Sequence, residues 1–300
     1  MDSKVYNLKF VFSPPWQFND DTLYIQKFAE DTVGTTFGAS WVYVFNEKHN
    51  KKVALYKPID YDEPLGAYAE LLYSHIAKLC FSNIRIRVPE INMVMENNNL
   101  GILSYSIVNS ITEDLIHVDS LLFYKYERKE LKTFFTLGVK DIFECIGHEV
   151  CNEENFIEIQ KSVIFTILLD AFTNNVGRHG KNWGLVRNKV SDYYELAIFD
   201  NVKSFINMFG NRTGYKDKDL WVIEYNGIVS SSKLETGYEV CKFIKENYPD
   251  YFNEFISILK SVEKMFSEDI SSISEIDTSR VSTQLKKKIK LFESTNEEEV

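Results

Sequence analysis

The feature that most constrains the fold is a change of hydrophobic period partway along the chain. The first hundred residues carry short β-branched and aromatic runs, whereas beyond about residue 110 apolar positions recur at helical spacing. Ser40–Phe45 (SWVYVF) and Lys52–Tyr56 (KVALY) read as strands. The polar NEKHNK between them makes the pair a hairpin. Pro64 opens a segment whose apolar residues Leu65, Ala69, Leu72, Ile76 and Leu79 fall three and four apart, giving one helical face that ends before Pro89. Ile91–Met95 and Ile102–Ile107 form a second strand pair around ENNNLG. Leu131–Ile146 and Phe156–Phe172 then read as helices, Asn188–Ser191 as a turn and Leu196–Phe199 as a short strand. Tyr238–Phe266 is helical with an interruption at Pro249, and Lys286–Phe292 is a basic amphipathic stretch read as a solvated helix face. Strands first and helices afterwards predict an α+β chain in two lobes, 1–108 and 109–300, joined by a short hinge because no Pro/Gly-rich linker is present.

Composition excludes several classes. The chain has 300 residues, 34 basic and 44 acidic, for a net charge of −10, which argues against direct nucleic-acid binding. A 44% hydrophobic and 14% aromatic content is enough for a sizeable core. Cys80, Cys145, Cys151 and Cys241 are scattered and form no C-x-x-C, so neither a disulfide scaffold nor a zinc ribbon is indicated. The start MDSKVYNLKF lacks a signal-peptide pattern, and no apolar run reaches the roughly 20 residues of a membrane span. The expectation is a soluble protein of a reducing, cytoplasmic compartment. Trp41, Trp183 and Trp221 are expected to pack in the core.

Four features carry chemistry. Val33–Ser40 (VGTTFGAS) is a Gly/Thr loop before a strand, and Gly34, Thr35, Thr36 and Gly38 could let backbone N–H groups approach phosphates. Taken alone, it also reads as an ordinary hairpin turn. Lys57 ends the KVALYK strand, and a lysine pointing inward needs a counter-charge, for which Glu70 on the following helix and Glu63 compete. Thr173–Gly184 (TNNVGRHGKNWG) concentrates Arg178, His179, Lys181 and three asparagines directly after an apolar helix. So many hydrogen-bonding side chains point to contacts with one another or with a polar ligand, although the stretch also reads as a helix-ending loop capped by Asn and Gly. Finally, Leu196–Asn201 (LAIFDN) ends an apolar strand on Asp200, and a hairpin-sized return brings that acid next to Asn182. Amide and carboxylate oxygens are hard ligands suited to Mg²⁺.

Strand lysine, helix glutamate, polar loop with asparagine and strand-end aspartate is the order found in protein kinases, although the H-R-D and D-F-G strings are absent. The strings NVGRHGKN and LAIFDN resemble the catalytic loop and metal-binding strand of the HipA-like serine/threonine kinases, in their compact form. The resemblance covers roughly Gly34 to Phe205. It implies a bilobal protein-kinase-like fold, with a β-rich N-lobe holding one main helix and a helical C-lobe. It further implies ATP and Mg²⁺ as cofactors and a protein Ser/Thr hydroxyl as acceptor. In that scheme Lys57, oriented by Glu70, contacts the α/β-phosphates. Lys181 reaches the transferring phosphate, and Asn182 and Asp200 hold Mg²⁺. Ser104–Asn109, with Ser106 and Ile107 central, passes behind the adenine as the hinge. His179 braces the loop structurally.

One position departs from the pattern. Where the family places the aspartate that accepts the substrate proton, this chain has Gly177, with no acid within six residues on either side. Loss of a general base costs about 10²–10⁴ in rate, while nucleotide binding rests on other residues. The expectation is a kinase impaired in phosphoryl transfer. The alternatives are a nucleotide-binding pseudokinase, an interaction module, a chain altered to trap an inactive complex, or transfer assisted by another residue. A lipid or small-molecule kinase is a further reading, because RHGKN also fits the phosphoinositide-kinase loop spacing. HipA-like kinases often work with a DNA-binding antitoxin, and compact relatives include secreted bacterial effectors. An antitoxin or host protein is therefore the implied partner, and delivery to a host cell is compatible with the resemblance.

Overall fold

The computed structural model describes residues 5–12, 22–30, 39–45, 51–59, 65–96, 99–125, 139–178, 180–201, 203–205, 208, 237–269 and 278–294. The chain divides into two compact units, Met1–His75 with Pro89–Ile107, and Ile76–Val88 with Val108–Val300.

The first unit is a closed barrel. Its strands are β1 (Val5–Phe12), β2 (Thr22–Glu30), β3 (Ser40–Phe45), β4 (Lys51–Pro58), β6 (Ile91–Glu96) and β7 (Asn99–Tyr105), in the order β1-β2-β3-β4-β7-β6. Closure leaves no unpaired edge. Along β3 the inward residues Ser40, Val42 and Val44 are buried and alternate with half-buried neighbours, as a period-2 strand requires. The barrel core is Ile25, Val42, Val44, Ala54, Tyr56, Val94 and Leu103. The predicted hairpins β3–β4 and β6–β7 are both antiparallel pairs. Helix α1 (Leu65–Cys80) follows β4, and its Ser74 hydroxyl donates to Pro89 O at 2.5 Å.

The second unit is built around α4 (Glu153–Phe172). Asn152 caps its start, accepting from Asn155 N at 2.9 Å. From Ser162 to Phe172 every residue of α4 is buried. A four-stranded sheet has the order β5-β10-β9-β8, from β5 (Ile86–Arg87), β8 (Glu113–His117), β9 (Trp183–Asn188) and β10 (Tyr194–Ile198). Asn155 ties α4 to β10 through both main-chain groups of Tyr194, at 2.8 and 2.9 Å. Arg87 crosses the sheet, donating in bidentate fashion to Glu113 at 2.7 Å and through Nε to Glu195 at 2.6 Å. The adjacent guanidinium holds the Glu113 carboxyl below the usual carboxylate range.

The remaining helices are α2 (Val118–Lys125), α3 (Val139–Glu149), α5 (Gly237–Asn247), α6 (Pro249–Asp269) and α7 (Thr278–Ser294). Pro249 opens α6, where its missing N–H costs nothing. Phe165, Phe172, Phe252, Phe255 and Phe292 knit α4, α6 and α7 with ring separations of 5.3 to 6.3 Å. The α+β expectation therefore holds. Of the helix expected over 131–146, the described part begins at Val139, and 131–138 lie outside the described residues. Trp183 is buried as expected, Trp41 is half-buried, and Trp221 lies outside the described residues.

Strands β8 and β9 approach so closely that a Cβ at Gly184 would sit 2.5 Å from Ile116 O. The obstacle is backbone, which cannot rotate aside. Gly184→Ala is therefore expected to destabilise the protein by about 1–3 kcal/mol, read as a lowered urea midpoint. An unchanged midpoint would show that the sheet can open at this point.

Candidate active site

Lys57 and Glu70 meet within the first unit. Strand β4 turns the lysine inward, so it is only 8% exposed, and α1 presents a glutamate that is 1% exposed. The ammonium lies 3.3 and 3.4 Å from the two carboxylate oxygens. A pair so buried is costly to break from one side, about 3–5 kcal/mol. Glu63, the competing partner, lies outside the described residues. The phosphate-loop candidates Gly34, Thr35, Thr36 and Gly38 also lie outside them, between β2 and β3, which pair antiparallel. In the expected hinge, the Ser106 N–H donates to Val53 O at 2.9 Å. Ser106 is exposed and Ile107 half-buried.

The polar loop lies in the second unit, where α4 ends. Thr173 caps the helix, its hydroxyl donating to Leu169 O at 2.7 Å. Asn174 follows with φ 51°, a left-handed exit that asparagine tolerates. The centre of the loop is Arg178, 2% exposed. Its Nε and Nη2 donate to the two oxygens of Asp170 at 2.9 and 3.1 Å. Nη1 donates to Asn182 O at 2.7 Å and Phe199 O at 3.2 Å, while Nη2 also reaches Asn201 Oδ1. Asn175 Nδ2 donates to Asp170 at 2.7 Å, and Asn175 Oδ1 accepts from Gly177 N at 2.9 Å. Asp170 is thus consumed by structure, in keeping with its place inside the helix.

Asn182 and Asp200 come together as the hairpin spacing predicts. Phe199 N donates to Asn182 O at 3.0 Å, and Asn182 Nδ2 donates to Gly177 O at 2.8 Å and towards Asp200 O at 3.4 Å. With its NH₂ group held by main-chain carbonyls, Asn182 has its Oδ1 left to offer, and that oxygen accepts from none of the described residues. An amide oxygen oriented beside a carboxylate-bearing residue suits Mg²⁺, which takes one or two protein oxygens and completes its shell with water and phosphate. Among the described residues no group of three or more His, Cys, Asp or Glu side chains could hold a metal. Lys181 is exposed on the loop, and His179 lies outside the described residues.

Sequence reasoning missed Lys288. The basic run of α7 was expected to be solvated, but Lys288 is fully buried and donates to Ala171 O, Phe172 O and Asn174 Oδ1 at 3.1, 2.9 and 2.6 Å. It caps the C-terminus of α4, where the helix dipole favours a cation. The signal was present: Val281, Leu285, Lys288 and Phe292 are spaced by three and four and share the buried face.

No protein-family model matches the chain, and no curated protein matches its sequence. Solved structures do. The architecture is a kinase-like α+β fold. It is similar to the Helicobacter pylori proinflammatory kinase CtkA, with a TM-score of 0.59 and 15% identity over 91% of this chain and 98% of that one. It is also similar to HipA of Shewanella oneidensis MR-1, solved with HipB and operator DNA, with a TM-score of 0.54 and 12% identity over 97% of this chain and 72% of that one. At such identities the likeness is one of fold.

Burial holds the Lys288 ammonium well below the ordinary lysine range, against a smaller upward pull from Cys241. An unfolded-chain lysine titrates near about 10.4. Between the depressed native value and that figure the unfolded state binds more protons, so stability rises with pH across the window. Below the native value the full penalty applies. Urea midpoints from pH 7 to pH 10 are expected to rise in the native protein relative to Lys288→Met. A difference independent of pH would show that Lys288 titrates alike folded and unfolded.

Proposed function

We propose that this chain is an ATP-dependent serine/threonine protein kinase of HipA-like type, impaired in phosphoryl transfer by the absence of a base at Gly177. The observation that carries the reading is the buried Lys57–Glu70 pair in a kinase-like fold. Burying a lysine–glutamate pair carries a desolvation cost, and kinases use such a pair to fix the nucleotide phosphates. On this reading Lys57 contacts the α/β-phosphates and Lys181 the transferring phosphate. Gly34, Thr35, Thr36 and Gly38 cover the phosphates, and Ser106 and Ile107 border the adenine. Asn182 and Asp200 would hold Mg²⁺, which when bound supplies charge neutralisation for the phosphates. Residues 1–108 serve as the nucleotide lobe and 109–300 as the catalytic lobe.

A second reading, a nucleotide-binding pseudokinase, is favoured by one specific observation. The nearest acid upstream of Gly177 in sequence, Asp170, is fully buried and bound to Arg178 and Asn175, so it cannot take a substrate proton in this arrangement. The two readings differ in turnover and share Mg·ATP binding. The Shewanella HipA belongs to a toxin–antitoxin system with HipB, and CtkA is described as a proinflammatory kinase. A protein partner, antitoxin or host-derived, is the corresponding proposal here, with a protein hydroxyl as phosphoacceptor. Among the described residues no helix is long and apolar enough to cross a membrane, and we place the chain in the cytoplasm of its producer or of a recipient cell.

Mg·ATP at 100 times its Kd should stabilise the protein by about 2.7 kcal/mol, visible as a raised thermal midpoint. Asp200→Ala and Lys57→Met should each reduce that shift. Undiminished binding by the double variant would overturn the assignment of both residues. The backbone at Gly177 is not left-handed, and a Cβ there would meet Lys203 Cβ at 3.0 Å, so a side chain fits with a small adjustment of Lys203. Gly177→Asp is accordingly expected to raise autophosphorylation by about 10²–10⁴. No rise would show that a missing carboxylate is not what limits transfer.

A further inference from the structure

Gly177 is explained by its neighbour. Its φ lies outside the left-handed region, so backbone conformation does not demand glycine here. Space does. The side chain of Lys203 lies across it: a Cβ at position 177 would sit 3.0 Å from Lys203 Cβ and 3.5 Å from Lys203 Cδ. The lysine stem therefore runs along the volume that a side chain at 177 would enter, and its ammonium lies two bonds past the Cδ. The backbone fixes the arrangement, because Val176 N donates to Lys203 O at 3.2 Å. Lys203 itself is exposed, and its ammonium has no partner among the described residues.

The surroundings give that ammonium a direction of use. Gly177 O accepts from Asn182 Nδ2, whose amide also reaches Asp200 O, so Lys203 lies one residue contact away from the proposed Mg²⁺ ligands. Where the resemblance expects a carboxylate to receive a proton, this chain has glycine with the stem of a lysine alongside. A lysine ammonium cannot act as a base, but it can complete the shell of a terminal phosphate. A lysine, as a mobile point charge on a flexible stem, suits that task.

We propose that Lys203 contacts the terminal phosphate of a bound nucleoside triphosphate and so makes the site discriminate triphosphate from diphosphate. The inference rests on the kinase-like reading and deepens it. The site trades a proton acceptor for an anion contact, which favours holding Mg·ATP over consuming it. Glycine at 177 leaves the lysine stem its present path without adjustment.

The experiment is calorimetric titration of the full chain with Mg·ATP and Mg·ADP, comparing the native protein, Lys203→Ala and Lys203→Arg. Lys203→Ala should weaken ATP binding by roughly tenfold, the worth of one charged contact, leave ADP binding unchanged, and keep the unliganded thermal midpoint. Lys203→Arg should restore most of the ATP affinity. Equal weakening of both nucleotides, or no weakening of either, would overturn the terminal-phosphate contact while leaving nucleotide binding intact. Absence of binding by the native protein would instead overturn the kinase-like reading, and this inference with it.

Discussion

The polar loop of the candidate active site hangs on one buried guanidinium. Arg178 binds the carboxylate of Asp170 inside α4, the carbonyl of Asn182 in the loop, the carbonyl of Phe199 at the end of β10 and the amide oxygen of Asn201 beyond it. Three stretches of chain are thereby fixed to one planar group. Lysine could not substitute, because a point charge cannot serve acceptors arrayed around a plane. The charge itself is tolerable in a dry interior because Asp170 neutralises it with two hydrogen bonds. Removing either member takes from the other its counter-charge in this pair, so loop geometry and local stability are one property here.

That knot explains why the site separates into a rigid part and an adaptable part. The main-chain carbonyl of Asn182 is held by Arg178 and by Phe199 N, and its side-chain NH₂ is held by Gly177 O, so the amide oxygen has little freedom left. Lys181 and Lys203, by contrast, are exposed. On the proposed reading, a scaffold that orients an amide oxygen and carries lysines at its surface suits a polyphosphate, whose metal needs fixed geometry and whose outer oxygens need only charge.

Much of this was legible in the sequence, and the gaps have physical causes. β3, α1, β6 and the α5–α6 break at Pro249 were readable because alternation, helical spacing and proline each leave a local signature. The juxtaposition of Asn182 with Asp200 was readable because eighteen residues containing one turn can only double back. β9 was not foreseen. Trp183, Gly184, Leu185 and Val186 are all buried, so the strand shows no alternation, and it starts inside a run that looks like loop. β8 (EDLIH) is half-buried and carries two acids, one of which has its reason 26 residues away in Arg87. Lys288 was misread because residue type was weighed over helical phase. The role of Lys203 had no local signal at all, since it depends on a packing contact with Gly177.

Backbone strain follows the same map. The described non-glycine residues with positive φ are Asn174, Asp192, Asp200 and Phe205. Asp192 sits in the β9–β10 turn, where its carboxylate is bound by Arg187 at 2.6 Å. The other three flank the Arg178 knot. Asparagine and aspartate tolerate the left-handed region, but a buried phenylalanine does so at a cost of about 1–3 kcal/mol. Phe205 is held there by burial and by donating to Thr173 O at 2.6 Å, directly beside the helix end that Lys288 caps. Such a conformation persists only where the surroundings over-determine it. The chain therefore spends packing and hydrogen bonds on the segment running from Asp200 to Phe205, the same segment that aims a carboxylate-bearing residue at Asn182 and lays Lys203 over Gly177. Strain concentrated there, and relieved nowhere by a glycine, is what a structure shows when position matters more at a site than local ease.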